Sequence, residues 1–360
     1  PSVGAKNPQL EVSPSDITLS WDASEGGNYQ IEKSTNLKDW NPVSTVTSQS
    51  ESSEIIASKG ADTHAFYRVT PQELSDFDVA GFNFRTNTTS TDTSRFPVAE
   101  KPNILIILLD DWGIDSSPWD NPTAPRHATM RNIDSLMNQG LHFKNAYTQA
   151  TCSPTRASIL TGLLPREHQV GEPNNTLADS HITLPRLFEN ANSNYALASY
   201  GKWHLGGGSS GALDIGGWKE YSGFNGGFTD YTGWTPISNG KVESSNSNYI
   251  TTELASKASS FIQAQDALGK PWLCWLAFNA PHAPYHEPPA NLLQSDWDNT
   301  ATTDRDLYEK MLEAADTEIG NVLANVDLTK TTVILLGDNG TPQVVAQAPY
   351  ADGHAKGTMY

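Results

Sequence analysis

The chain has 360 residues, 37% of them apolar, and a formal net charge of −18. That length and apolar content suffice for a large core, in one domain of ordinary size plus a smaller one. The charge excludes nucleic acid and anionic membrane, which an acidic chain repels, so an anionic substrate must be captured by a few placed cations or by a metal. No apolar run approaches the roughly 20 residues of a membrane span.

The chain starts at Pro1 with neither Met nor a signal peptide, and is expected to be a mature or trimmed product. Short apolar and polar alternations over 17–21, 29–33 and 66–69 are separated by turn clusters such as Glu25-Gly26-Gly27-Asn28. This period-two pattern predicts strands at sandwich spacing. Trp21, Tyr29, Trp40 and Tyr67 are assigned to packing between sheets rather than to a sugar-stacking platform. Residues 86–94 are polar and aperiodic, which predicts an exposed linker. The expected order is a small all-β sandwich over 1–74, a linker over 75–101, and a larger domain over 102–360.

In the larger domain apolar runs alternate with helical patterns, which predicts an α/β fold with a mostly parallel central sheet flanked by helices. The runs at 104–109, 196–200, 272–278 and 332–336 lead directly into polar residues. These are Asp110-Asp111, Gly201-Lys202-Trp203-His204, Asn279-Ala280-Pro281-His282 and Gly337-Asp338-Asn339-Gly340. In an open parallel sheet the ligand crevice lies beyond the carboxyl ends of the strands, so these groups are expected to converge on one edge. Ile133, Leu136 and Met137, closed by Gly140, predict one helix; Leu307, Met311, Leu312, Ala315, Ile319, Val322 and Leu323 predict a longer one. Both apolar faces are assigned to core packing.

Asp110, Asp111, Asp338 and Asn339 offer oxygen ligands only, which suits a hard cation such as Ca²⁺ or Mg²⁺ and suits zinc or copper poorly. The chain holds two cysteines. Cys274 lies in an apolar run and reads as core filler, whereas Cys152 opens Cys-Ser-Pro-Thr-Arg-Ala at an expected helix start, where backbone N–H groups favour anions. His204 and His282 stand shortly past strand ends in loops fixed by Gly or Pro. His168 and His286 are candidates for lining a substrate pocket; His127, His142, His181 and His354 are unassigned.

Cys152-Ser153-Pro154-Thr155-Arg156 resembles the motif of the formylglycine-dependent type I sulfatases, within the alkaline phosphatase superfamily. The segments Pro102-Asn103-Ile104-Leu105-Ile106-Ile107-Leu108-Leu109-Asp110-Asp111, Gly201-Lys202-Trp203-His204-Leu205-Gly206, Pro281-His282-Ala283-Pro284, Gly337-Asp338-Asn339-Gly340 and Ala355-Lys356-Gly357-Thr358 extend the resemblance across 102–360. The N-terminal segment looks like the fibronectin-III-like modules appended to bacterial secreted enzymes.

The resemblance implies that Asp110, Asp111, Asp338, Asn339 and the modified Cys152 hold one calcium ion, with Mg²⁺ second. It implies that Cys152 is oxidised to formylglycine by a formylglycine-generating or anaerobic sulfatase-maturating enzyme, and that the aldehyde hydrate attacks sulfur. Arg156 would orient that hydrate, Lys202 and Lys356 would bind sulfate oxygens, His282 would protonate the leaving alcohol, and His204 would act as base. The implied function is hydrolysis of sulfate esters, of a sulfated carbohydrate in polysaccharide degradation, by a protein secreted, periplasmic or at the bacterial cell surface. Family members continue into a smaller C-terminal subdomain, so this chain is expected to be C-terminally truncated at Tyr360. Two other readings stay open: a phosphonate monoester or phosphodiester hydrolase of the same superfamily, and a non-catalytic carbohydrate-binding or adhesion protein on the same fold.

Overall fold

A computed structural model of the chain describes residues 101–144, 146–298, 300, 302–349 and 356, together with six strands nearer the N-terminus. The chain divides into two compact units, Pro1–Thr91 and Asp92–Tyr360.

The first unit carries β1 (Lys6–Val12), β2 (Asp16–Asp22), β3 (Asn28–Ser34), β4 (Asn41–Thr47), β5 (Ser52–Ser58) and β6 (Phe66–Pro71). They form two antiparallel three-stranded sheets, ordered β1-β2-β5 and β4-β3-β6. The three alternating bursts of the sequence fall in β2, β3 and β6, and Ile31, central in β3 between Ser44 and Val69, is buried. The expectations for Trp40, for the side chains of Trp21, Tyr29 and Tyr67, and for the linker fall outside the described residues.

The second unit is built on β7 (Asn103–Leu109), β8 (Ala196–Lys202), β9 (Glu220–Phe224), β10 (Ile237–Ser238), β11 (Lys241–Val242), β12 (Trp272–Ala277) and β13 (Thr331–Gly337). Their order is β11-β10-β9-β8-β12-β7-β13. The five strands from β9 to β13 in that order run parallel, and β10 and β11 add an antiparallel edge. The sheet is therefore mostly parallel, as the alternating sequence implied.

The helices are α1 (Arg131–Gln139), α2 (Cys152–Thr161), α3 (Pro165–His168), α4 (Leu184–Asn190), α5 (Gly211–Asp214), α6 (Ile250–Ala267) and α7 (Asp304–Leu323). A strand buried on both faces reads as a continuous apolar run, and β7 is one. Leu105, Ile107 and Leu109 pack with Leu254, Ile262, Met311 and Ile319 of α6 and α7 on one face. Ile106 and Leu108 pack with Ala157 and Leu160 of α2 on the other. Each such side chain contributes about 1.5–3 kcal/mol relative to exposure, so the centre of the sheet is a stiff platform. Because β7, β8, β12 and β13 are parallel neighbours, all four deliver their following residues to the same edge.

Gly201 makes one of these deliveries possible. It has φ +104°, and a Cβ there would lie 1.9 Å from the carbonyl oxygen of Ala277. Only glycine fits this close crossing of β8 and β12, immediately before Lys202. No described helix is long and apolar enough to cross a membrane.

Candidate active site at the strand ends

Cys152 is the first residue of α2. Thr151 precedes it in extended conformation, Pro154 lies in the first turn where its missing N–H costs nothing, and Gly162 ends the helix at φ +70°. The first six residues of α2 are all buried, so the turn that holds Cys152 is enclosed by protein.

The residues after β7 and β13 meet this helix. Asp110, Asp111, Asp338 and the Cys152 Sγ offer metal-ligating atoms that all lie within 4.8 Å of one another, and all four residues are buried. The Cys152 thiol donates to Asp110 Oδ1 at 3.3 Å. Asn339 donates from Nδ2 to Asp111 Oδ1 at 2.7 Å, while its own Oδ1 is buried without a partner. A buried acceptor left unmade costs about 1–3 kcal/mol, and this one joins an oxygen-rich cluster that a hard cation would satisfy. The donor set therefore fits a calcium-like ion.

Three cations face these three carboxylates. Arg156 on α2 sends Nε and Nη2 to Asp338 Oδ2 at 2.9 and 2.8 Å, and Nη1 to the Lys202 carbonyl at 2.8 Å. Lys202, wholly buried at the end of β8, donates to Asp110 Oδ2. Lys356 donates to Asp111 Oδ1 at 2.6 Å. The backbone is shaped for the purpose: Asp111 is left-handed at φ +72°, a strained state for a non-glycine residue. It is held there by Tyr308 Oη donating to the Asp111 carbonyl at 2.8 Å and by the Asp111 amide donating to Asp338 Oδ1 at 3.3 Å.

The charges sort these groups chemically. Burial, then the neighbouring Asp110, push the Asp338 carboxyl up to about 6. Burial also works to raise Asp110, but Lys202 and the other cations hold it well below the usual carboxylate range. Burial, reinforced by Asp110 and Asp338, drives the Cys152 thiol far above its ordinary value. A thiol in that state carries negligible thiolate at neutral pH and is a poor nucleophile and metal ligand.

The two strand-end histidines complete the edge. His282 keeps its Nδ1 on the Ala283 carbonyl at 2.7 Å and turns Nε2 toward Asp111 Oδ2 at 3.6 Å. Burial, with Lys202 and Arg156 nearby, pushes His204 down to about 3, so its ring is neutral. Its Nε2 lies 2.8 Å from Asn174 Oδ1, which assigns the proton to Nε2 and leaves the buried Nδ1 as an unpartnered acceptor. Ser153, next to Cys152, donates to the His204 carbonyl at 2.9 Å.

Asn174, Gly227, Phe228 and Tyr231 were not anticipated. Gly227 lies against the His204 ring, where a Cβ would stand 3.1 Å from Cε1 and Nε2. Phe228, 66% exposed, stacks on the His282 ring with 6.2 Å between centroids and 8° between planes. Tyr231 Oη donates to the His282 carbonyl at 2.8 Å. The turn signal Asn225-Gly226-Gly227 directly after β9 is the trace in the sequence from which this loop could have been found. His168 corrects an expectation: it is fully buried, with Nε2 on Ser158 Oγ at 3.0 Å and Nδ1 accepting from the Val170 amide at 3.1 Å, which makes it a packing histidine. His286 does line a cavity. Cys274 is buried in β12, as expected. His354 lies outside the described residues.

This geometry can be set beside known proteins. The family model Sulfatase matches residues 102–357. The uncharacterized sulfatase YdeN of Escherichia coli strain K12 is 26% identical over 317 residues, 71% of this chain and 55% of that protein. An N-acetylgalactosamine-6-O-sulfatase of Bacteroides thetaiotaomicron is 37% identical over 125 residues, 33% of this chain and 24% of its own length. The crystal structure of Ps i-CgsB superimposes with a TM-score of 0.61 at 25% identity, covering 71% of this chain and 62% of that one. The chain spans about half the length of the curated relatives it matches over most of its own sequence. With the matched segment running through every strand end of the site, the chain belongs to the sulfatase family.

Proposed function

We propose that the chain hydrolyses sulfate esters, of a sulfated carbohydrate, at the edge beyond β7, β8, β12 and β13. The observation that carries this reading is the burial of Cys152 among three carboxylates and three cations, with its Sγ donating to Asp110 Oδ1. A thiol so placed serves poorly as thiolate, and well as the precursor of another group at the same position. Oxidation of Cys152 to formylglycine by a maturation enzyme would supply an aldehyde hydrate as nucleophile. A calcium ion on Asp110, Asp111, Asp338, Asn339 and residue 152 would lower the pKa of a bound hydroxyl and screen sulfate charge.

The chain's own residues then divide the work. Lys202 and Lys356 point ammonium groups at the carboxylates now, and would turn them to sulfate oxygens once a dication takes over that compensation. Arg156, locked by three short hydrogen bonds, fixes Asp338 and the floor beneath residue 152. His282, with Nδ1 committed to a carbonyl, would carry the proton for the leaving alcohol on Nε2. His204 retains a free Nδ1 lone pair, the feature a base requires. The printed name of the Bacteroides relative, a sugar 6-O-sulfatase, supports a carbohydrate substrate. A secreted or periplasmic location, a fibronectin-III-like identity for residues 1–74 and a linker over 75–101 belong to the same proposal.

Turnover of 4-nitrophenyl sulfate, bis(4-nitrophenyl) phosphate and a phenylphosphonate monoester by protein matured in a competent host tests it. Sulfate turnover should exceed the others, fall after chelation and return with calcium. Phosphodiester or phosphonate turnover well above sulfate would replace the reading, and no turnover of any ester would end it.

A further inference from the structure

Near His282 the fold forms a cavity of about 590 Å³, open to solvent, that the sulfate chemistry leaves unused. That lies within the roughly 300–1,000 Å³ of small-molecule sites. One wall is aromatic. His286 packs against Tyr231 and Tyr249 with ring centroids 4.2 and 5.5 Å away, and its Nε2 meets Tyr249 Oη at 3.1 Å. Tyr231 ties this wall to the site, since its hydroxyl donates to the His282 carbonyl.

The cavity differs in charge from the neighbouring centre, where three cations face three carboxylates. Its lining includes the carboxylates of Asp230 and Glu287 and contains no lysine or arginine. Lys310, the cation nearest Glu287, is 4% exposed and donates to Glu287 at 2.6 Å. Burial lowers the His286 pKa below its ordinary value. Asp230 is exposed and lines the cavity with a carboxylate able to accept hydrogen bonds. An anionic ring would meet the Asp230 carboxylate here, whereas sugar hydroxyls would donate to it, and Thr232 adds a further hydroxyl partner.

Taking the sulfatase reading as its basis, we propose that this cavity binds an uncharged, hydroxyl-rich sugar ring of the substrate, adjoining the sulfated ring whose ester lies at Cys152. The cations over the carboxylate cluster select the sulfate; Asp230 rejects a second sulfate or a uronate on the neighbouring ring. The chain is thereby selective for sulfation on one ring of a pair.

The test uses the full chain and two readouts. Saturation-transfer NMR with a panel of neutral tetrasaccharides (galacto-, manno-, xylo- and N-acetylchito-) should detect binding of at least one. Asp230→Ala should weaken that binding at least fivefold, and Asp230→Lys should weaken it while gaining binding of the singly sulfated counterpart. Turnover of 4-nitrophenyl sulfate, too small to reach the cavity, should stay within twofold of wild type in both variants. No binding by any neutral sugar, or binding that Asp230→Ala and Asp230→Lys leave unchanged, would overturn the proposal. Loss of aryl sulfate turnover in the wild type would instead overturn the sulfatase reading, while the sugar-binding result would still decide this one.

Discussion

Two regions of the second unit bury carboxylates, and they satisfy them in different currencies of interaction. On α7, Glu313 accepts from the Thr129, Gln294 and Ser295 amides, the Ser295 hydroxyl and the Trp297 indole. Asp316 accepts from the Asn132 and Ile133 amides, the Asn132 side chain and Gln294. At the strand ends, Asp110, Asp111 and Asp338 lean on Arg156, Lys202 and Lys356, and Asn339 keeps an unmet acceptor. Neutral donors fixed in the fold mark a structural carboxylate. Carboxylates balanced by cations, with an oxygen still unmet, mark a place where something else is to bind.

Asp316 offers the strongest way to break this distinction. It covers amides in the first turn of α1, whose N-cap residue Met130 supplies no side-chain cap. Asp316→Ala should cost about 2–4 kcal/mol, by adding a lost cap to newly unpaired buried donors. Urea unfolding checks it, and activity per folded molecule should be unchanged. A drop in specific activity with intact stability would make α7 part of the site.

Asn339 sharpens the other side. Asn339→Ala should cost about 1–2 kcal/mol in metal-free protein, the worth of its hydrogen bonds to Asp111 Oδ1 and to the Gly340 carbonyl. Calcium should then stabilise the variant less, with an apparent affinity lower by about 10–100-fold. Thermal unfolding across a calcium titration measures both. Equal calcium response in variant and wild type would remove Asn339 from the ion's shell.

Glu309, paired with Arg305 as Asp306 is with Arg126, is an exception within α7, and its effect is the smallest. Burial outweighs the pairing with Arg305 and pushes this carboxyl up to about 7, and its Oε2 has no partner. The native state therefore keeps a proton that the unfolded chain releases near the ordinary glutamate value of 4.5. Stability should fall as pH rises from about 4.5 to about 7, the window in which the unfolded state binds fewer protons. Glu309→Gln should flatten that slope and raise Tm above pH 7 by about 2–4 °C, the equivalent of roughly 1 kcal/mol. Parallel Tm–pH curves for the two proteins would show that Glu309 titrates normally.

The sequence made the strand ends legible because β7, β8, β12 and β13 carry apolar runs that lead straight into polar residues. Asp110, Lys202, His282 and Asp338 follow directly from that grammar. The loop carrying Gly227 and Phe228 was less visible, since β9 spans only Glu220–Phe224 and the contacts that matter reach across to His204 and His282. Asn174 contacts His204 from 30 residues away, with no local pattern to announce it. On α7 the apolar positions were readable at helical spacing. The burial of Glu313 and Asp316 was not, because their partners come from the segments at 129–133 and 294–297.

The central claim is that Cys152 is a precursor, and the mass of the tryptic peptide carrying it, from protein produced with a maturation enzyme, tests that claim most directly. A peptide about 18 Da lighter than the cysteine form, the change from a thiol to an aldehyde, is the expected result. An unmodified thiol in protein that nonetheless turns over sulfate esters would contradict it.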